Sequence, residues 1–204
     1  MKSKLFTLLI AFGFCGSLMA QTPLTKEEKD FAIKYLNEAT KELEQTVKGL
    51  SEAQLKYRPD ANSWSVEDCL KHLTISEANI WAGFVDAALQ QEPDPSKRSE
   101  VKANDEMILG MIESRDQKVQ TSESFQPVNK EGDFKTVLKE FKSLRAAHLK
   151  WLKKTDEDLR NRYAQTPVGT IDAYQGVLFI SGHVKRHTAQ MKEVMASEGF
   201  PSAQ

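Results

Sequence analysis

Two histidines one helical turn apart are the residues of this chain best suited to chemistry. His183 and His187 lie in a segment whose apolar spacing predicts a helix, and Gln190 follows one turn later. Side chains four apart share a helix face with Cβ atoms about 5–6 Å apart, so both imidazoles can reach one ion. A third histidine, His72, lies in another predicted helix far upstream. Three nitrogen ligands would leave open coordination positions, as catalytic metal sites do. Taken alone, however, this spacing is more typical of an ordinary surface or core pair.

Each further candidate has a structural interpretation beside its functional one. His72 is either a ligand or a partly buried histidine with a hydrogen-bond partner. His148 falls in an apolar stripe, which favours a core histidine. Cys69 precedes His72 by one turn, but a small buried residue is a more common role for cysteine than a thiolate ligand. Glu77 lies about 140° around the helix from His72, so we expect a solvated charge or a group outside the first ligand shell. Gln190 is expected either to bond a ligand or to face solvent.

The elements that must position these residues are predicted to be helical, and no segment alternates as a strand would. Thr25 and Glu28 have the spacing of a capping box, and Ser65 begins another helix three residues before Asp68. Apolar periodicity predicts principal helices over 25–49, 65–89, 134–154 and 170–197, with a weaker, polar accessory helix over 99–121. The residues between 125 and 132 and those around Pro167 are predicted loops. Four principal helices in one domain indicate an all-α bundle.

The first twenty residues have the pattern of a signal peptide. A short basic start precedes an apolar run over 5–18, and Ala20 offers a small residue at the cleavage point. We therefore expect export to the periplasm or the medium, with 21–204 as one mature domain and no membrane span within it; retention as an anchor is the alternative. Cys15 invites a lipoprotein interpretation, which the large Phe14 before it argues against.

Composition excludes several classes of protein. The chain has 204 residues and a formal net charge of −1, with charges of both signs interspersed. It therefore lacks the basic patch of a nucleic-acid-binding protein. Without the first twenty residues, Cys69 is the single cysteine, so no internal disulfide is possible and a packed core must hold the fold. A small-molecule ligand or substrate is the expected partner.

Three motifs together resemble the DinB-like superfamily. They are Trp64-Ser65 at a helix start, His72-Leu73, and the spacing His183-x-x-Arg186-His187-x-x-Gln190. This superfamily includes YfiT-type metal-dependent hydrolases and bacillithiol- or mycothiol-dependent transferases, and the resemblance covers about 26–196.

The resemblance implies a four-helix bundle with up-down-down-up connectivity, often dimeric. It also implies a divalent ion, commonly zinc or nickel, held by His72, His183 and His187, whereas His148 matches no ligand. The export signal and the accessory segment at 99–121 depart from the familiar members. The export signal bears on the mechanism, because a reduced pool of low-molecular-weight thiol is less expected outside the cytoplasm.

Three functions stay open from the sequence. The ion could activate water in a hydrolase, or it could hold the thiolate of a low-molecular-weight thiol in a transferase. Alternatively, the chain binds a metal or small ligand in the cell envelope without turnover. A pocket beside an open metal position would favour an enzyme, and a fourth protein ligand such as His148 or Cys69 would favour a closed site. Glu77, Gln190 and Asn79 are the candidates for a general base.

Overall fold

The computed structural model describes residues 22–116 and 118–202, so the predicted signal peptide at 1–20 lies outside the described residues. The elements run α1 (Lys26–Val47), α2 (Glu52–Lys56), α3 (Val66–Ile80), a π-helical turn (Trp81–Asp86), α4 (Ala87–Leu89), a 3-10 turn (Pro95–Glu100), α5 (Asp105–Glu113), two more 3-10 turns (Glu123–Phe125 and Pro127–Asn129), α6 (Phe134–Lys154), β1 (Tyr163–Thr166), β2 (Gly169–Asp172) and α7 (Ala173–Met195). Among these elements, no helix is long and apolar enough to cross a membrane.

Side-chain caps fix where the long helices begin. Thr25 and Glu28 form the predicted capping box at the start of α1. Ser65 forms another at α3, where its side chain accepts a hydrogen bond from the backbone N–H of Asp68. Asp172 caps α7 in the same way. Each cap satisfies backbone donors that have no partner inside the helix, so these short polar residues set the starting points of the bundle.

The four long helices have the order of directions that the resemblance implies. Both α1 and α3 pack against α6 and α7. One core cluster joins the C-terminal halves of α1 and α7 to the N-terminal halves of α3 and α6; its members include Leu43, Val47, Val66, Leu70, Val137, Phe141, Met191 and Val194. The helices therefore run up, down, down and up, and the predicted all-α four-helix bundle is confirmed.

A buried polar layer separates this cluster from a second one. Along α3, α6 and α7 the second cluster includes Ile80, Trp81, Leu152, Val177, Leu178 and Ile180. Between the two clusters, the helices place Glu77, Arg145 and Ser181, each no more than 1% exposed. Because the layer is this deeply buried, its polar groups must satisfy one another or bind something else.

The accessory segment differs from the prediction. The expected helix over 99–121 is interrupted: a 3-10 turn ends at Glu100 and α5 spans only Asp105–Glu113. Asn104 caps the start of α5. The residues that follow Glu113 are mostly polar and have no apolar stripe that would continue the helix. α5 packs on α7 at Gly182, where any Cβ would overlap Ile112. The absence of a side chain at Gly182 therefore allows the two helices to approach this closely.

The expectation of no strand is wrong for the segment before α7. β1 and β2 pair as an antiparallel hairpin, with Thr166 opposite Gly169 at the turn. Gly169 has φ +104°, a conformation that favours glycine. Each strand has four residues, too few for periodicity to distinguish the strand from a loop.

Candidate metal centre

The structure brings three of the four histidines together. Nε2 of His183 lies 3.3 Å from Nε2 of His72 on α3 and 3.2 Å from Nε2 of His187, one turn along α7. One nitrogen from each ring lies within 4.8 Å of the others. The helix spacing accounts for the His183–His187 pair, whereas His72 reaches the pair only because α3 packs on α7.

Hydrogen bonds on the far side of two rings fix their orientation. Nδ1 of His72 lies 2.8 Å from the backbone carbonyl oxygen of Phe125, and Nδ1 of His187 lies 2.8 Å from Oε1 of Gln190. Since a carbonyl oxygen can only accept, each Nδ1 donates its proton. The neutral rings therefore direct the lone pairs of Nε2 into the cluster, which is the orientation of metal-binding histidines. The Phe125 acceptor is a backbone atom that side-chain patterns could not reveal.

The donor set fits a divalent cation. Burial is the main cause that lowers the pKa of His72, and it lowers the pKa values of His183 and His187 far below the usual range, with further lowering from neighbouring histidine charge. The rings are therefore neutral near pH 7, the form that binds metal. Nitrogens about 2.0–2.1 Å from a tetrahedral zinc ion lie about 3.3 Å apart, close to the two short separations here. Nε2 lone pairs that converge at this distance repel one another unless a proton or a cation lies between them.

The cluster forms part of the wall of a cavity of about 760 Å³, within the usual range for small-molecule sites. The Trp64 ring covers the cluster, with its centroid 4.9 Å from that of His72 and 5.9 Å from that of His187. Further apolar walls come from α3, the π-helical turn, α5 and α7, through Ile80, Phe84, Met111, Ile112 and Phe179. The hairpin turn adds Pro167 and Val168. The Trp-Ser motif thus supplies both a helix cap and a wall of the site.

Of the remaining candidates, only Gln190 lies beside the cluster. The solvated-charge interpretation of Glu77 is wrong: the residue is 1% exposed. Its Oε2 accepts a hydrogen bond from Arg145 at 2.7 Å, and its Oε1 accepts one from Nδ1 of His148 at 2.7 Å. Periodicity placed Glu77 off the His72 face correctly, but the partners on α6 were not visible in the sequence.

His148 and Cys69 pack in the interior, apart from the cavity wall. The ring of His148 stacks on Trp81 at a centroid distance of 3.9 Å, and its Nδ1 donates to Glu77. His148 is therefore a core histidine with a hydrogen-bond partner, as its place in the apolar stripe favoured. Cys69 is fully buried in the apolar core, and burial raises the pKa of its thiol. Neither residue joins the three-histidine group. Asn79 is exposed and does not line the cavity, so it is poorly placed to act as a base there.

Comparisons with known proteins agree with this architecture. The sequence model of the DinB superfamily matches residues 35–191. The uncharacterized protein YuaE of Bacillus subtilis (strain 168) is 26% identical over 159 residues, which covers 78% of this chain and 93% of YuaE. The solved structure of YfiT from Bacillus subtilis, described as a probable metal-dependent hydrolase with an unusual four-helix bundle topology, superposes with a TM-score of 0.55 at 18% identity. That match covers 84% of this chain and 88% of YfiT. With a family match over most of its length and the same bundle topology, this chain belongs to the DinB superfamily.

Proposed function

We propose that this protein is a metal-dependent hydrolase whose divalent ion is held by His72, His183 and His187. The observation that carries the proposal is the convergence of three Nε2 atoms at the wall of a large cavity. Among the described residues, no fourth histidine, cysteine or carboxylate joins the group. Coordination positions would therefore remain open towards the cavity, which is typical of a catalytic ion and not of a closed structural one.

The side chains around the ion would prepare the site for hydrolysis. A divalent ion held there would act as a Lewis acid and would lower the pKa of a water molecule far below its bulk value, to about 7. Phe125 and Gln190 hold the imidazoles in place through their hydrogen bonds, and Trp64 excludes bulk water from one side. Ser76 also lines the cavity, with its Oγ 3.4 Å from Nε2 of His72, so its hydroxyl is placed to orient a water or a substrate carbonyl.

The solved structure of YfiT supports this proposal through a shared fold, and YfiT itself is described as a probable metal-dependent hydrolase. The choice between zinc and nickel, a low-molecular-weight thiol as co-substrate, export and dimerisation all stay predictions from the sequence. Non-catalytic binding of a metal or ligand is the alternative. A site open to a cavity of about 760 Å³ favours turnover over storage of the ion.

Elemental analysis of protein purified without a histidine tag tests the proposal. We expect about one divalent ion per chain in the wild type, loss of the ion in His72→Ala, and retention in the matched control His148→Ala, since His148 lies outside the cluster. A wild type that stays free of metal after incubation with zinc or nickel and dialysis would overturn the proposal.

The metal-loaded protein is then assayed on ester and amide substrates. Hydrolysis that is lost with chelator and in His187→Ala is the expected outcome, whereas metal binding without any turnover would support the binding-protein alternative.

A further inference from the structure

The charged residues that line the cavity are mostly cations. Apart from the histidines, its charged lining consists of Arg115, Lys118, Arg186 and Glu193 among the described residues. Three positive charges against one negative charge give this wall a formal excess of two. In a chain with a net charge of −1, such a local excess inside a cavity is a feature of the site and does not follow from composition.

The cations gather around a single carboxylate. Arg115 binds Glu193 with two hydrogen bonds, from Nε at 3.1 Å and from NH2 at 2.8 Å. This contact is the main cause of the lowered pKa of Glu193, and the charges of Arg186 and Lys118 lower that pKa further. All three cations therefore act on the carboxylate of Glu193. Asp60 adds a second carboxylate near Lys118, but it does not line the cavity and the local balance stays positive.

The cationic group lies close to the histidines, since Arg186 directly precedes His187 on α7. Glu193 follows His187 by six residues, which corresponds to about 9 Å along the helix axis. The other walls of the cavity are largely apolar, with Met111, Ile112 and Phe125 among them. The cavity thus combines apolar walls with a cationic group around Glu193 and with the candidate metal ligands nearby.

We propose that the cavity binds an amphipathic organic anion, with its apolar body against the apolar walls and its anionic group held by Arg115, Lys118 and Arg186. The reacting bond of such a substrate would then lie at the histidines, which line the same cavity. The assignment of the reacting bond rests on the proposed function, whereas the binding of the anion does not. Partial burial strengthens the attraction, since Arg186 is only 8% exposed.

A matched pair of fluorescent probes tests this proposal. Anilinonaphthalene sulfonate carries an anionic group that is a poor metal ligand, and phenylnaphthylamine has the same aromatic framework without it. We expect the wild type to bind the sulfonate about tenfold more tightly than the neutral probe at low salt, with a preference that shrinks as salt is added. Equal affinities for the two probes, or a preference independent of salt, would overturn the proposal.

Two single-residue variants locate the effect. Lys118→Glu reverses an exposed charge at the cavity, and we expect it to weaken sulfonate binding about tenfold while neutral-probe binding stays within about twofold. Lys139→Glu is the control, because it makes the same charge change at an exposed site on α6, which contributes no residue to the cavity. Equal effects of the two variants would mean that only the overall charge matters, and the proposed site would be wrong.

Repeating the titrations on metal-loaded and metal-depleted protein separates this inference from the proposed function. Sulfonate preference that persists without metal supports binding by the cations. Preference that vanishes with the metal means that the ion binds the anion, which overturns the inference but leaves the hydrolase proposal standing. Sulfonate preference in a wild type that binds no metal at all would overturn the hydrolase proposal and leave the inference about the anion standing.

Discussion

Replacement of Glu77 by glutamine should destabilise the fold strongly. The carboxylate and the guanidinium of Arg145 are each 1% exposed and lie 2.7 Å apart. Glu77→Gln preserves the size of the side chain but removes its charge, so the guanidinium stays buried without a negative partner. Nε of Arg145 already has no hydrogen-bond partner. The rest of the site therefore offers little compensation.

The magnitude follows from the burial of the pair. Removing one partner of a buried ion pair costs about 3–5 kcal/mol, because an uncompensated charge remains in the interior. In a domain of this size, such a loss lowers the thermal midpoint by about 10 °C. Glu44→Gln is the matched control: Glu44 pairs with Lys142 at the surface, where the two side chains are 38% and 52% exposed. Exposed pairs contribute at most about 1 kcal/mol, so this variant should resemble the wild type.

Urea unfolding followed by circular dichroism measures both variants. The proteins must have equal metal content, since an ion that binds only the folded state raises its stability. Equal free energies of unfolding for Glu77→Gln and Glu44→Gln would refute the reasoning, because the buried pair would then be no more important than the surface pair. Glu77→Gln is also expected to keep its ion, because Glu77 lies outside the three-histidine group.

Three further predictions concern other parts of the molecule. Gln190→Leu removes an acceptor from the candidate ligand shell, and competition with a chelator should show about 10–100-fold weaker metal binding. Gly182→Ala should lower the free energy of unfolding by about 1–3 kcal/mol through its clash with α5, whereas Gly83→Ala, which meets no atom within 4 Å, should not. Burial tends to raise the pKa of Asp105, but hydrogen bonding to Arg160 outweighs it and the net pKa is lowered. Asp105 should therefore contribute its full stabilisation above the pKa that its carboxyl has in the unfolded chain. This stabilisation should be lost as pH falls through the lower pKa of the folded state, so the unfolding curves of Asp105→Asn and wild type should converge in acid.

The local parts of the fold were predictable from the sequence. A cap such as Ser65 depends only on residues within one turn, and so does the face shared by His183 and His187. The position of His72 beside them depends on a contact across 111 residues, and only the resemblance indicated it. Periodicity shows which face of a helix is buried but not which helix covers that face.

The partners of the site residues were less accessible to prediction. The acceptor for His72 is a backbone carbonyl at Phe125, and a backbone atom leaves no trace in a pattern of side chains. In the α3 sequence, Glu77 resembles a solvated charge. Its partner Arg145 likewise resembles a surface residue in the α6 sequence. Each is buried only because the other is present. Such mutual burial cannot be deduced from either helix alone.

The topology explains how one helix serves both the core and the site. Because α7 packs against α1, α3 and α5, most of its surface is buried and its polar side chains must find partners on several sides. Ser181 accepts a hydrogen bond from Arg145 on α6, whereas His183, two residues later, meets His72 on α3. The ion pair that supports the bundle and the cluster that faces the cavity are thus separate groups, and α7 contacts each of them through a different side chain. Changes to the first should alter stability while metal binding persists, and changes at the cavity rim, such as at Lys118, should alter ligand binding while the fold persists.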